Sequence, residues 1–182
     1  MKIVPATVEN APGIAGVHVR SWQAAYAGIL DAEFLQGISI DNRAQQWQGN
    51  LQRNESQTLV AQRGDSVLGF VSYGRCRDKD APADRGEIWA LYADPAAWGQ
   101  GVGLALMRSA VTGLQALGHT STSLWVLGQN QRGIRFYQAF GFTPVPGSAK
   151  HFELGGRQVE EVCLLMQHDQ AGQSFAPPSE GS

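Results

Sequence analysis

The chain has 182 residues, enough for one domain with a substantial core. It is 43% hydrophobic and 16% charged with a formal net charge of −2, the profile of an ordinary soluble protein. That balance argues against nucleic acid or an anionic membrane surface as partner, and no apolar run is long enough to span a bilayer. The N-terminus lacks an apolar signal core, and Cys76 and Cys163 read as reduced thiols, so a cytoplasmic protein is expected. The scattered His18, His119, His151 and His168 lack the spacing of a metal site.

Taken in order, Lys2 to Thr7 reads as a first strand. Asn10 can cap the helix that follows, with Pro12 in its first turn and Ile14, Val17, His18, Trp22 and Tyr26 at helical spacing. Asp31 can cap a short helix, Ala32 to Gln36, and Asp41 a third through Trp47 and Leu51. Gln57 to Gln62 and Ser66 to Arg75 form a hairpin turned at Arg63-Gly64-Asp65. Arg77 to Arg85, charged and interrupted by Pro82, reads as a solvated loop.

Glu87 to Ala93 is a strand apolar on both faces, which marks a central strand covered on both sides. Alternation assigns Glu87, Trp89 and Leu91 to one face, and Ile88, Ala90 and Tyr92 to the other. A carboxylate at Glu87 in such a strand is costly unless it is paired or functional. Asp94-Pro95 ends the strand, and Trp98-Gly99-Gln100-Gly101-Val102-Gly103 leads into a helix from about Gln100 to Leu117. Glycines at a helix start let a ligand approach bare N–H groups at the positive end of the helix dipole, which suits a phosphate. A dinucleotide fingerprint would need a third glycine where Leu104 or Leu106 stands, and a P-loop would need Gly-Lys-Ser/Thr.

Ser121 to Leu127 is a further strand. Asn130 caps a helix over Gln131 to Ala139, which stops at Gly141. Phe142 to Phe152 is extended, and Gly155-Gly156 turns into a last strand, Val159 to Met166. An antiparallel front half, a strand–helix–strand–helix unit and a closing hairpin make an α+β sandwich on one mixed sheet.

Two stretches carry a resemblance. Gly101 and Gly103 resemble the glycines of the acetyl-coenzyme A pyrophosphate loop, Gln/Arg-x-x-Gly-x-Gly/Ala after a strand, of the GNAT superfamily of N-acetyltransferases; Trp98 departs from its first position. The run from Asn130 to Phe142 resembles the family's Asn-x-x-Ala-x-x-Phe-Tyr-x-x-x-Gly-Phe, with Gly133 in place of alanine. The resemblance implies a single GNAT-like domain over residues 1–167, with a mostly antiparallel central sheet flanked by helices on both faces. Residues 168–182, rich in Pro, Ser and Gly, are expected to be a disordered tail.

The resemblance also implies acetyl-CoA as acetyl donor and a small-molecule or peptide amine as acceptor, in a monomer or homodimer. Backbone groups of Leu91, Tyr92 and Ala93 would pair with the pantetheine arm. Gly99, Gln100, Gly101, Val102, Gly103 and Leu104 would hold the pyrophosphate, and Asn130 would bond the donor near its reactive end. Glu87, eleven residues before Trp98, matches the base of one family branch, and its plain alternative is a salt bridge with an arginine such as Arg85. Tyr137 matches the general acid. Trp22 and Tyr26 are read either as core or as a wall of the acceptor pocket. A second reading, raised by Trp98, is a catalytically weak acyl-CoA-binding sensor or interaction module.

Overall fold

A computed structural model describes residues 1–168. It has one sheet and five helices among these residues. Strand β1 (Lys2–Pro5) precedes helices α1 (Ala11–Ala25), α2 (Ala32–Gln36) and α3 (Ile40–Arg53). Strands β2 (Gln57–Arg63), β3 (Ser66–Arg75) and β4 (Arg85–Ala93) follow, then α4 (Val102–Ala116), β5 (Ser121–Leu127) and α5 (Gln131–Phe140). The chain closes with β6 (Thr143–Pro144), β7 (Lys150–Leu154) and β8 (Arg157–Gln167).

The strand order is β1-β2-β3-β4-β5-β8-β6, with β7 also paired to β8. Every pairing is antiparallel except β4 with β5. The mixed, mostly antiparallel sheet expected from the element order is therefore present. Helices cover both faces. Ile14 and Val17 of α1 and Trp47 of α3 pack on Val60 and Phe70 on one side. On the other, Leu106, Met107 and Leu114 of α4 pack on Val71, Ile88 and Leu124, with Ile134 and Phe136 of α5 against them.

The caps differ in detail from the sequence reading. Ser39, not Asp41, accepts the Asn42 N–H at the start of α3. Asp31 makes no cap bond; its carboxylate pairs with Arg157 instead. Asn10 turns back to accept from the Thr7 N–H. Asp31 and Asn10 thus bond donors other than the orphan amides of the helices they precede. Asn130 does cap α5, accepting from the Gly133 N–H at 3.0 Å.

The register of β4 corrects the alternation read from sequence. Ser72 lies opposite Ala90 but Tyr73 lies opposite Ile88, so Trp89 is an extra residue, a bulge. Ile88 and Leu91 consequently share the α4 side, while Ala90 and Tyr92 meet α1 and α3. By the pleat, Glu87 falls on the side of Ala90 and Tyr92.

The position where the tail was expected to begin, His168, is buried. Its ring contacts Thr122 Oγ1 at 2.7 Å and the His119 carbonyl at 2.9 Å, which ties the residue after β8 to the start of β5. The remainder of that expected tail, residues 169–182, lies outside the described residues.

Candidate active site

The pairing of β4 with β5 runs from Arg85 opposite Ser121 to Ile88 opposite Leu124 and stops there. Beyond it the two strands part, and the edge of β4 from Trp89 to Ala93 faces no strand on that side. Bare strand edges expose N–H and C=O groups that an extended partner can pair with. The gap opens into a cavity of about 1210 Å³. Its volume is that of a site for a large ligand.

The glycine turn forms one end of the cavity, where Gly99, Gly101, Val102, Gly103 and Leu104 line it. Gly99 and Gly101 have φ of +77° and +78°, a left-handed backbone that side chains oppose. A Cβ built at either would meet nothing within 4 Å, so the surface beside them is open backbone. The N-terminus of α4 has no side-chain cap and no acidic residue in its first turn. Its first amides thus lack a capping side chain, an arrangement that suits an anion. Gln100 departs from the expected set. It is absent from the cavity lining, and its side chain bonds Arg63 at 3.3 Å and the Ala96 carbonyl at 3.0 Å. Glycines in the left-handed region on either side turn this one residue outward.

Trp98 closes the turn. Its indole N–H donates to the Ala93 carbonyl at 2.9 Å, and the Arg132 guanidinium lies 3.8 Å over its ring. Arg132 and Arg108 both line the cavity near the turn. The sequence reading missed both, because they stand on different helices that only the packed fold brings to one cavity.

At the middle of the cavity are Leu91, Tyr92, Ala93, Asn130 and Tyr137. Among the described residues the Tyr137 hydroxyl has no hydrogen-bond partner, and desolvation raises its pKa above the usual phenol range. Asn130 spends its Oδ1 on the Gly133 amide. A Cβ at Gly133 would lie 2.7 Å from Asn130 Nδ2, so the glycine gives this capping conformation its room.

Trp22 and Tyr26 lie at the end of α1. They line the cavity and also belong to a core cluster with Leu30, Leu35 and Leu127. Their rings meet edge to face at 5.1 Å. The Trp22 Nε1 is buried with no partner among the described residues. Behind them His18 stacks on Tyr92 at 4.8 Å and accepts from Trp47 Nε1 at 3.1 Å. Burial, helped by Arg43, lowers its pKa to about 3, so it is neutral at ordinary pH.

Glu87 is 2% exposed and lines the cavity. It does have an arginine partner, but Arg77 in place of Arg85. Arg77 donates its backbone N–H to Oε2 at 2.8 Å and its guanidinium to both oxygens. The Cys76 N–H bonds the Arg85 carbonyl at 2.9 Å, which closes the loop and brings Arg77 to Glu87. The segment read as a solvated loop therefore sends Arg77 and Asp78 into the site. Asp78 accepts from Trp125 Nε1 at 3.1 Å and Lys150 Nζ at 3.2 Å, and Lys150 sits 3.6 Å over the Trp125 ring. Glu161 of β8 completes this end of the cavity. A signal for it existed in the sequence: in alternation it shares a face with Val159 and Cys163, both buried.

Among the described residues no group of three or more His, Cys, Asp or Glu is arranged to hold a metal. No described helix is long and apolar enough to cross a membrane.

Comparison with known proteins gives a consistent picture. The Acetyltransferase (GNAT) family model matches residues 21–142. The chain is 33% identical over 160 residues to an uncharacterized N-acetyltransferase, YuaI, of Bacillus subtilis (strain 168), covering 87% of this chain and 88% of that one. In fold it resembles a ribosomal-protein-alanine N-acetyltransferase from Brucella melitensis (TM-score 0.72, 21% identity, 92% of this chain and 100% of that one). It also resembles the PaiA N-acetyltransferase from Thermoplasma acidophilum, solved in complex with coenzyme A (TM-score 0.71, 20% identity, 92% and 100%).

Proposed function

The chain belongs to the GNAT family of N-acetyltransferases, with acetyl-CoA as acetyl donor, and on that premise we propose direct transfer of the acetyl group to a primary amine while both substrates are bound. Acetyl-CoA supplies an activated acyl group: the C–S bond breaks, a C–N bond forms, and coenzyme A leaves as a thiol.

The observation that carries this reading is the coincidence of three features on one cavity. They are the free edge of β4, the open glycine turn, and the unbonded hydroxyl of Tyr137. The turn and the N-terminus of α4 hold the diphosphate, with Arg132 and Arg108 adding positive charge. Leu91, Tyr92 and Ala93 offer backbone groups to the pantetheine arm, and an N–H there stabilises negative charge on the thioester oxygen. The Asn130 Nδ2 remains free to donate beside them, since only its Oδ1 caps α5.

An alkyl ammonium has a pKa of about 10 and must lose a proton to attack. Glu87 receives that proton, directly or through water. Its ion pair with Arg77 orients the carboxylate at the cavity wall. Tyr137 gives its proton to the departing sulfur, and its raised pKa keeps that proton in place at neutral pH until charge develops. Trp22 and Tyr26 wall the acceptor side.

The test joins calorimetric titration with acetyl-CoA to a thiol-release assay on a panel of primary amines. Micromolar binding and amine-dependent thiol release are expected. Absence of acetyl-CoA binding by folded protein would defeat the reading.

A further inference from the structure

The charges at the acceptor end of the cavity do not cancel. Arg77 is paired with Glu87, and Lys150 with Asp78. Glu161 is left over. Lys150 is its direct cross-strand neighbour, in register between β7 and β8. A lysine there would ordinarily pair with the glutamate. Instead its ammonium is drawn to Asp78 and the Trp125 face. Among the described residues the Glu161 carboxylate then makes no hydrogen bond and no ion pair, although the residue is half-buried and lines the cavity.

We propose that Glu161 anchors the ammonium of the acceptor, and that the acceptor is a primary amine of net positive charge. The proposal rests on the acetyl-transfer reading above and names the substrate class for the same site. Glu161 lies opposite Leu127, at the end of β5 where that strand has left β4. An amine held there stands at the mouth of the gap through which the thioester would be reached. Trp22, Tyr26 and Trp125 line the same cavity, and their aromatic rings favour a cation beside them.

The surroundings agree. Lys150 from β7, Arg77 from the loop, Glu87 from β4 and the hydroxyls of Tyr26 and Tyr92 are near enough to Glu161 to act on it electrostatically. Desolvation is the leading influence and raises its pKa, with Glu87 adding to the rise and Lys150 and Arg77 opposing it. A bound ammonium relieves that penalty. An acceptor with its own carboxylate brings a second anion to a place that already holds an unpaired one.

The experiment compares the protein with Glu161→Gln and Glu161→Asp, using cadaverine and spermidine against glutamate and aspartate as acceptors. Acetyl-CoA binding by calorimetry reports both the fold and the donor site. The cationic amines should be acetylated in preference to the anionic ones. Glu161→Gln should raise the amine KM about tenfold or more with the acetyl-CoA affinity unchanged, and Glu161→Asp should recover part of the loss. An unchanged amine KM in Glu161→Gln, or a preference for anionic acceptors, overturns the proposal. So does a protein that binds acetyl-CoA but uses none of the amines, which leaves the donor site standing. Failure to bind acetyl-CoA defeats the acetyl-transfer reading first and this proposal with it.

Discussion

The guanidinium of Arg132 lies 3.8 Å from the centre of the Trp98 ring. This contact sets a cation from the first turn of α5 on Trp98, the residue that departs from the family's Gln or Arg. The tryptophan is itself fixed by its bond to the Ala93 carbonyl, so the cation is held over a rigid platform.

Arg132→Ala should therefore weaken acetyl-CoA binding roughly three- to tenfold, and the loss should shrink at high salt. Trp98→Ala should have a similar effect, and the double variant should lose less than the two single losses combined. Calorimetric titration of all four proteins checks this. Strict additivity would mean that the two residues act separately.

Gly101→Ala tests the turn itself. At φ +78° an alanine is strained even though its methyl meets nothing. Stability should fall by about 1 kcal/mol. Acetyl-CoA affinity should fall further than that strain explains, because the methyl stands on the surface assigned to the diphosphate. Denaturant melts and titration of the same preparation separate the two effects.

Tyr137→Phe should lower kcat about a hundredfold while leaving acetyl-CoA affinity nearly unchanged. The hydroxyl has no partner among the described residues, so its removal breaks no structural bond. Steady-state kinetics beside calorimetry checks the prediction. A kcat equal to that of the parent would remove Tyr137 from the proton inventory.

His18 should make stability depend on pH. Its folded pKa, about 3, lies below its unfolded value of about 6.5. The unfolded chain therefore binds the proton first. Stability contributed by the neutral ring is full above pH 6.5 and is lost as pH falls toward 3. Between pH 6.5 and 5 the loss should be on the order of 1–2 kcal/mol. Urea melts at several pH values measure it, and His18→Gln should flatten the slope over that interval.

Much of this molecule is written in short windows of its chain. The glycine turn, the strand before it and the helix after it follow from positive φ at Gly99 and Gly101, a proline stop and a 3.6-residue apolar stripe. Each acts within a few residues. The same holds for Asn130 capping α5 and for the hairpin at Gly64, where φ is +58°. Tyr137 was legible for the same reason: it belongs to one motif on one helix.

Other features arise only when strands pair. Whether Glu87 meets Arg77 or Arg85 depends on how the 76–85 loop closes. The extra residue at Trp89 is visible only against the register of β3, and it alone puts Ile88 and Leu91 on one side. Asp78 meets Lys150 across 72 positions of sequence, and Arg20 meets Asp94 across 74. Glu161 becomes the unpaired charge of the site because Lys150 is drawn elsewhere, a choice made among three strands and a loop. Local backbone preferences act over a turn or two, so the chain itself dictates the glycine turn and the periodic helices. Charge partners and strand register depend on which distant segments the sheet brings within a few ångströms, and that is decided by the packed fold.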